Sequence, residues 1–123
     1  MRVLVADDES LAWTLIEEPL CREGHVVRVA QNGRDALIVF HGDPDRWDLL
    51  IAAVHLPVMP GDALAQACRA LKPALPVVLL AGHWDRADHL TDNLTHVLAK
   101  PFTEFELLRT VAAIVVDMAS GST

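Results

Sequence analysis

The sequence predicts an α/β three-layer sandwich, in which a parallel β-sheet is covered by helices on both faces. Five short apolar runs occur along the chain, and most lack alternation, which is typical of strands buried on both faces of a parallel sheet. The segments between these runs are long enough for crossover helices. The 123 residues, 52% of them hydrophobic and 22% charged, suffice for one hydrophobic core. We therefore predict one domain in which strand and helix alternate five times.

The five predicted strands are rich in Val, Leu and Ile. They are RVLVA (2–6), HVVRVA (25–30), DLLIAA (48–53), PVVLLA (76–81) and THVLA (95–99).

The first predicted helix begins at Ser10 as its N-cap and ends near Glu23. Gly24 is expected to stop it, because glycine readily takes the left-handed conformation that ends many helices. Pro19 lacks a backbone donor and clashes with the preceding turn, at a cost of about 3 kcal/mol in a helix interior. We therefore expect a kink or an early break at Pro19.

The remaining helices are placed by caps and glycines. Asn32 is expected to cap a second helix that ends near Gly42, and Gly61 or Asp62 begins a third that ends before Pro73.

A fourth helix is expected near residues 84–93, where Trp84 either covers the edge of the core or anchors a partner. Thr103 and Glu106 form a capping box for the fifth helix. The sequence ASGST is small and polar, so the predicted domain spans 1–118, and 119–123 are a disordered tail or the start of a linker.

The last predicted helix, residues 103–119, is apolar on more than one stripe. One stripe contains Phe105, Leu108, Val111, Ala112 and Val115, and the other contains Leu107, Ile114 and Met118. One stripe suffices to cover a sheet, so we expect the second to form an interface with a second copy or a following domain. The alternative is a single wide buried face with Leu107 and Met118 at its margin.

Charge and cysteine content exclude several classes of protein. The net charge of −7 argues against direct binding of nucleic acid, which needs clustered Lys and Arg. No apolar run approaches the ~20 residues of a membrane span, and no signal peptide is visible. Cys21 and Cys68 lack a CxxC spacing, so we expect reduced thiols in a cytoplasmic protein without membrane partners.

Charged residues follow the first and last predicted strands. Asp7 and Asp8 come directly after the first strand, at the edge where parallel sheets form their crevice. Clustered carboxylates there favour a divalent cation such as Mg²⁺; the alternative is that Asp8 and its neighbours only cap the first helix. Lys100 follows the fifth strand and is expected to bind an anionic oxygen in the same crevice, or else to be an exposed surface lysine.

Four motifs together resemble a bacterial response-regulator receiver domain. They are VLVADDE, DLLIAAVHLPVMPG, PVVLLAG and LAKPFTEFEL, and they cover essentially the whole chain in order. The resemblance implies a flavodoxin-like fold with strand order 2-1-3-4-5 and a site at the carboxyl ends of strands 1, 3 and 5. It also implies Mg²⁺ binding by Asp7, Asp8 and the backbone carbonyl of His55, and pairing of Lys100 with a phosphoryl group. In that family a strand-3 aspartate accepts the phosphoryl group from a histidine kinase.

Three positions depart from the family's pattern. Ala53 stands at the phosphoacceptor position, and its methyl group cannot attack phosphorus. Ala81 replaces the strand-4 hydroxyl, and Val97 replaces the aromatic residue of the switch. Loss of the carboxylate at position 53 also removes a metal ligand, so Mg²⁺ binding is expected to be weak.

We therefore interpret the chain as a pseudo-receiver, a signalling domain of a two-component or phosphorelay system. We expect no enzymatic activity, no aspartyl phosphorylation, and action through protein–protein interaction. The expected partners are a histidine kinase, an effector domain or another signalling protein, and a second copy through the last helix. Lys100 is expected to pair directly with Asp7 or Asp8.

Two alternatives remain open. The first is a genuine phosphoacceptor regulator, seen as an engineered Ala53 variant or using His55 or Asp62 as another acceptor. The second is an unrelated flavodoxin-like domain that binds a nucleotide or flavin, although no G-x-G-x-x-G or P-loop is present.

Overall fold

The fold is known from a computed structural model, which describes residues 1–10, 13–82 and 94–120. Its five strands coincide with the predicted runs, and three begin one residue later than predicted. They are β1 (Arg2–Ala6), β2 (Val26–Ala30), β3 (Leu49–Ala53), β4 (Val77–Ala81) and β5 (Thr95–Ala99). All pairings are parallel, and the order is β2-β1-β3-β4-β5. The predicted fold class and strand order are confirmed.

Strand position in the sheet explains the sequence pattern. Every residue of β3 and β4 is buried, and so is every residue of β1 after Arg2. The edge strand β2 instead alternates in exposure and leaves Val26 exposed. Uninterrupted apolar runs therefore mark the central strands, which are covered by helices on both faces.

The described residues contain four α-helices, one fewer than the five predicted. They are α1 (Glu18–Arg22), α2 (Gly33–Gly42), α3 (Gly61–Leu71) and α4 (Glu104–Ser120). The fourth predicted helix, near 84–93 and including Trp84, lies outside the described residues. A short 3₁₀-helix, Pro44–Arg46, follows α2. Within these ranges, no helix is both long and apolar enough to cross a membrane.

The first helical segment is broken next to Pro19, as predicted. A π-helix spans Trp13–Glu17, and α1 begins at Glu18, with Pro19 in its first turn. Proline in a regular α-helix would clash with the carbonyl four residues earlier, and the wider π-turn precedes it here. Gly24 ends α1 with φ +90°, and its N–H donates to the Cys21 carbonyl at 3.0 Å. The predicted start at Ser10 borders residues 11–12, which are not described.

The caps predicted for two helices are present. Asn32 precedes α2, and its side-chain oxygen accepts from the Asp35 N–H at 2.8 Å. Before α4, Thr103 Oγ1 accepts from the Glu106 N–H at 3.1 Å, while Glu106 Oε1 accepts from the Thr103 N–H at 3.0 Å. These bonds satisfy donors that the first turn of a helix leaves unpaired. Helix α4 extends to Ser120, into the segment predicted as tail or linker, and 121–123 are not described.

The core consists of two apolar layers, one on each face of the sheet. Helices α1 and α4 cover one face, and α2 and α3 cover the other. The face that α4 buries contains Leu107, Val111 and Ile114. These residues are spaced by four and three, so they share one side of the helix. The expectation that the stripe of Leu107, Ile114 and Met118 forms an interface is therefore wrong, because Leu107 and Ile114 are buried. Val111 is buried with them, while Phe105 and Met118 are exposed.

Candidate functional site

Asp7 is a buried carboxylate at the carboxyl end of β1. Its side chain is 1% exposed, and its backbone N–H extends the ladder to β2 by donating to the Ala30 carbonyl at 3.1 Å. Asp7 Oδ1 accepts from the Glu9 N–H at 3.0 Å. A charge removed from water in this way requires a compensating charge and hydrogen bonds. Asp8, the next residue, is exposed instead.

Lys100 supplies the compensating charge from the far edge of the sheet. It follows β5, and its backbone N–H donates to the Ala81 carbonyl at 2.8 Å. Its Nζ donates to Asp7 Oδ2 at 2.9 Å and to Glu9 Oε1 at 3.1 Å. The predicted pairing of Lys100 is thus present, with Asp7 as the partner. The bond from Lys100 to Pro101 is cis.

Two effects of opposite sign act on the pKa of Lys100. Burial lowers it, while hydrogen bonds and charge attraction from Asp7, and then from Glu9, raise it. The carboxylates outweigh the burial, so the pKa of Lys100 lies above its ordinary value. The ammonium is therefore charged at neutral pH.

Two of the three departing positions lie between these charged residues. Ala53 ends β3 and Ala81 ends β4, and both are buried. Because β3 and β4 separate β1 from β5, the side chain of Lys100 extends across the strand ends that these two alanines form. Val97, in the middle of β5, packs partly buried on the layer of α2 and α3. None of the three side chains carries an oxygen.

The loop after β3 forms the wall of a small cavity next to the ion pairs. The cavity has a volume of about 200 Å³ and opens at the carboxyl edge of the sheet. Its lining residues are Asp8, Val54, His55, Leu56, Pro57 and Pro60. Asp8 and His55, two of the predicted metal ligands, therefore share one cavity, while Asp62 lies in the first turn of α3.

The end of this loop is tightly packed against β3. The Gly61 N–H donates to the Val54 carbonyl at 3.0 Å, and a Cβ at Gly61 would lie 2.1 Å from the Ala53 carbonyl oxygen. Only glycine fits at such an approach. Val58, in the same loop, is 74% exposed and has φ +73°. This is a strained conformation for a β-branched residue.

The oxygen atoms available at this edge are poorly suited to bind the Mg²⁺ ion that the resemblance implies. Mg²⁺ requires near-octahedral oxygen ligation, usually with one or two carboxylates free to bind it. Here both oxygens of Asp7 already accept hydrogen bonds, one from the Lys100 ammonium, and Ala53 offers no ligand. In the part of the chain that the structure describes, no cluster of three or more His, Cys, Asp or Glu side chains is arranged to hold a metal.

Two features of this edge were not predicted from the sequence. Glu9, one of the neighbours of Asp8 that were expected only to cap the first helix, is the second partner of Lys100. Its position two residues after Asp7 was the available signal, because the chain turns back at that point. The left-handed conformation of Val58 has no signal in its own residue type, since valine disfavours it.

Comparison with known proteins gives one family. Residues 3–112 match the family described as response regulator receiver domain. The transcriptional regulatory protein PrrA of Mycobacterium tuberculosis is 31% identical over 99% of this chain and 53% of its own length. The alkaline phosphatase synthesis transcriptional regulatory protein PhoP of Bacillus subtilis is 29% identical over 92% of this chain and 48% of its own length. This chain spans about half the length of these curated relatives.

Solved structures agree with this match. A response regulator receiver domain protein from Clostridium thermocellum has a TM-score of 0.87 over 96% of each chain at 24% identity, a likeness that concerns the fold alone. The chemotaxis response regulator CheY4 of Vibrio cholerae has a TM-score of 0.80 and 27% identity over 92% of this chain and 97% of that chain.

Proposed function

Because this chain belongs to the response regulator receiver domain family, we propose that it is a receiver that is not phosphorylated and that signals by binding other proteins. Its membership of the two-component response regulators excludes the alternative of an unrelated flavodoxin-like binder of flavin or nucleotide. What is proposed is the loss of the phosphoryl reaction, the weakness of any metal site, and the mode of action.

The observation that carries the proposal is the residue at the end of β3. Ala53 lies buried at the centre of the carboxyl edge, between the strand that bears Asp7 and the strand that precedes Lys100. A methyl group has no lone pair, so no covalent bond to phosphorus can form there. The chemistry of acyl phosphate formation is therefore absent at the position where the family has it.

A second departure supports the same conclusion. Ala81 ends β4 beside Ala53 and offers no hydroxyl to a phosphoryl group. A single engineered exchange at position 53 would not account for Ala81 and Val97 as well. We infer that three linked parts of the switch were lost together.

The weak metal site follows from the same residues. Receiver domains typically bind Mg²⁺ at the acceptor site, where the ion supplies positive charge to the transferred phosphoryl group. In this chain Asp7, Asp8 and the His55 carbonyl remain as candidate ligands. Asp7 is engaged by Lys100, and the carboxylate at position 53 is missing. We therefore propose that any Mg²⁺ binding is weak.

Signalling then depends on contacts with other proteins. The curated relatives PrrA and PhoP are named as transcriptional regulatory proteins and are about twice as long as this chain. We propose a histidine kinase, an effector domain or another signalling protein as partner, with no nucleic acid bound by this domain itself. The exposed apolar residues of α4 are the proposed contact surface for a second copy of the chain. Without a phosphoryl switch, a partner regulates the domain only through different affinities for two of its conformations.

Incubation with acetyl phosphate and Mg²⁺, followed by intact-mass measurement, tests the proposal. The expected result is an unchanged mass. Addition of a phosphoryl group, at His55, Asp62 or elsewhere, would show that the chain is a genuine phosphoacceptor.

A further inference from the structure

The ion pairs of Lys100 connect parts of the chain that are far apart in sequence. Nζ of Lys100 contacts carboxylate oxygens of Asp7 and Glu9, more than ninety residues away. Asp7 is 1% exposed and Lys100 is 23% exposed, so both charges are largely removed from water. The attraction between two such charges is stronger than that of a pair at the surface, where water and salt screen it.

We propose that the Lys100 ammonium is the resident cation of this edge, replacing the divalent ion and making the native chain independent of Mg²⁺. Asp7 and Glu9 are the carboxylates that the ammonium engages, and Asp8 beside them is exposed. The inference rests on the proposed function, since it assumes that no phosphoryl group needs a metal here.

Both carboxylate oxygens of Asp7 already accept hydrogen bonds within the chain. Asp7 Oδ2 accepts from the ammonium, and Asp7 Oδ1 accepts from the Glu9 N–H. A metal that bound Asp7 would have to displace a charge-assisted hydrogen bond and also lose part of its own hydration, which Mg²⁺ gives up reluctantly. The ammonium already provides the positive charge that clustered carboxylates require.

The Lys100 side chain passes two alanines on its way from β5 to Asp7. Strands β3 and β4 lie between β5 and β1, and they end in Ala53 and Ala81. A carboxylate at position 53 would lie nearer to Lys100 than Asp7 does, because β3 is closer to β5 than β1 is. With alanine there, the lysine finds its anionic partners only at Asp7 and Glu9. Alanine at position 53 therefore offers no metal ligand, and it leaves Lys100 to pair with Asp7, which is itself a candidate ligand.

Calorimetric titration with Mg²⁺ and Mn²⁺, without any phosphodonor, tests this inference in the native chain and in Lys100→Met. We expect little or no binding to the native chain. Lys100→Met should bind Mn²⁺ with an affinity at least about tenfold higher, because a positive charge in contact with the site is gone. Lys72→Met is the matched control. It removes the other lysine, which binds the Trp47 carbonyl away from the carboxyl edge, and should leave metal affinity at the native level.

Two results would overturn the inference. One is native binding as tight as that of Lys100→Met, and the other is a folded Lys100→Met chain that binds no metal. If Lys100→Met fails to fold, Lys100→Gln decides, because its amide removes the positive charge and still offers a hydrogen-bond donor. That variant should bind Mn²⁺ at least about tenfold more tightly than the native chain. Equal affinities would overturn the inference.

These outcomes are separable from the fate of the proposed function. A native chain that binds Mg²⁺ tightly but takes no phosphoryl group from acetyl phosphate refutes the resident-cation inference and the weak metal site, while the proposed loss of the phosphoryl reaction stands. A native chain that becomes phosphorylated refutes the proposed function itself.

Discussion

The two cysteines lie in opposite environments, and their reactivity should differ accordingly. Cys21 is exposed on α1, while Cys68 is buried in the layer between α3 and the sheet. Burial raises the pKa of the Cys68 thiol to about 12. The ordinary pKa of a cysteine thiol is 9.0, so between pH 9 and 12 the unfolded thiol ionises while the folded one stays protonated. Ionisation of the unfolded thiol favours the unfolded state. The folded chain therefore loses stability progressively as the pH rises through that window.

A thiol-labelling experiment measures this difference. Because the thiolate is the nucleophile, Ellman's reagent should label Cys21 in the folded chain and Cys68 only after unfolding, even at pH 9. The control variant Cys21→Ser should show no rapidly reacting thiol. Rapid labelling of Cys68 in folded Cys21→Ser would contradict its assigned burial.

Val58 carries local strain that a substitution can relieve. The left-handed conformation costs a residue with a Cβ about 1–2 kcal/mol, and asparagine tolerates it better. Because the side chain is 74% exposed, Val58→Asn loses little packing. We expect Val58→Asn to raise the free energy of unfolding by about 1 kcal/mol in urea denaturation.

Val26→Asn is the control for this substitution. Val26 is also exposed, but it lies in the extended conformation of β2, where asparagine is disfavoured. It should not stabilise the chain. Equal stabilisation by both variants would show that the backbone strain at Val58 is not the cause.

At the scale of elements, α4 buries one face and leaves another apolar face exposed. Phe105, Leu108, Ala112 and Val115 follow one another at intervals of three and four residues, so they share a side of the helix. Phe105 is 70% exposed and Val115 is 37% exposed, while Leu108 is partly buried against the core. This spacing is the one with which helices pack against each other. We propose a second copy of the chain as the occupant of this face.

Analytical ultracentrifugation tests that surface. The native chain should associate as its concentration rises, and Phe105→Ser should weaken the association by about tenfold or more, as expected for a central aromatic contact. Ile38→Ser is the matched control, because Ile38 is 59% exposed on α2, on the opposite face of the sheet. A native chain that stays monomeric at every concentration would contradict the homodimer.

Elements with a local cause were predictable from the sequence. The break at Pro19 and the caps at Asn32 and Thr103 each depend on neighbours within a few residues, and all are observed. The π-helix before Pro19 was not predicted, because the same residues also fit a kinked α-helix. The buried face of α4 was assigned wrongly, since the sequence shows which residues share a stripe but not how the helix is rotated on the sheet.

At the scale of the whole molecule, the strand order follows from the resemblance, and it brings the ends of the chain's first and last strands to one edge. The sequence predicted that Lys100 would pair with one of two aspartates. It did not indicate which, because the choice depends on how the chain leaves β1. The structure turns Asp7 inward and Asp8 outward. The addition of Glu9 to the pair likewise required the folded loop.

We propose that this receiver keeps the shape of its family without the reacting carboxylate at position 53, the hydroxyl at position 81 and the aromatic residue at position 97. The most direct measurement is the intact mass of the native chain and of Ala53→Asp after incubation side by side with acetyl phosphate and Mg²⁺. We expect no change in the native chain and a single added phosphoryl group on Ala53→Asp, mapped to the new carboxylate. A phosphoryl group on the native chain would contradict the account.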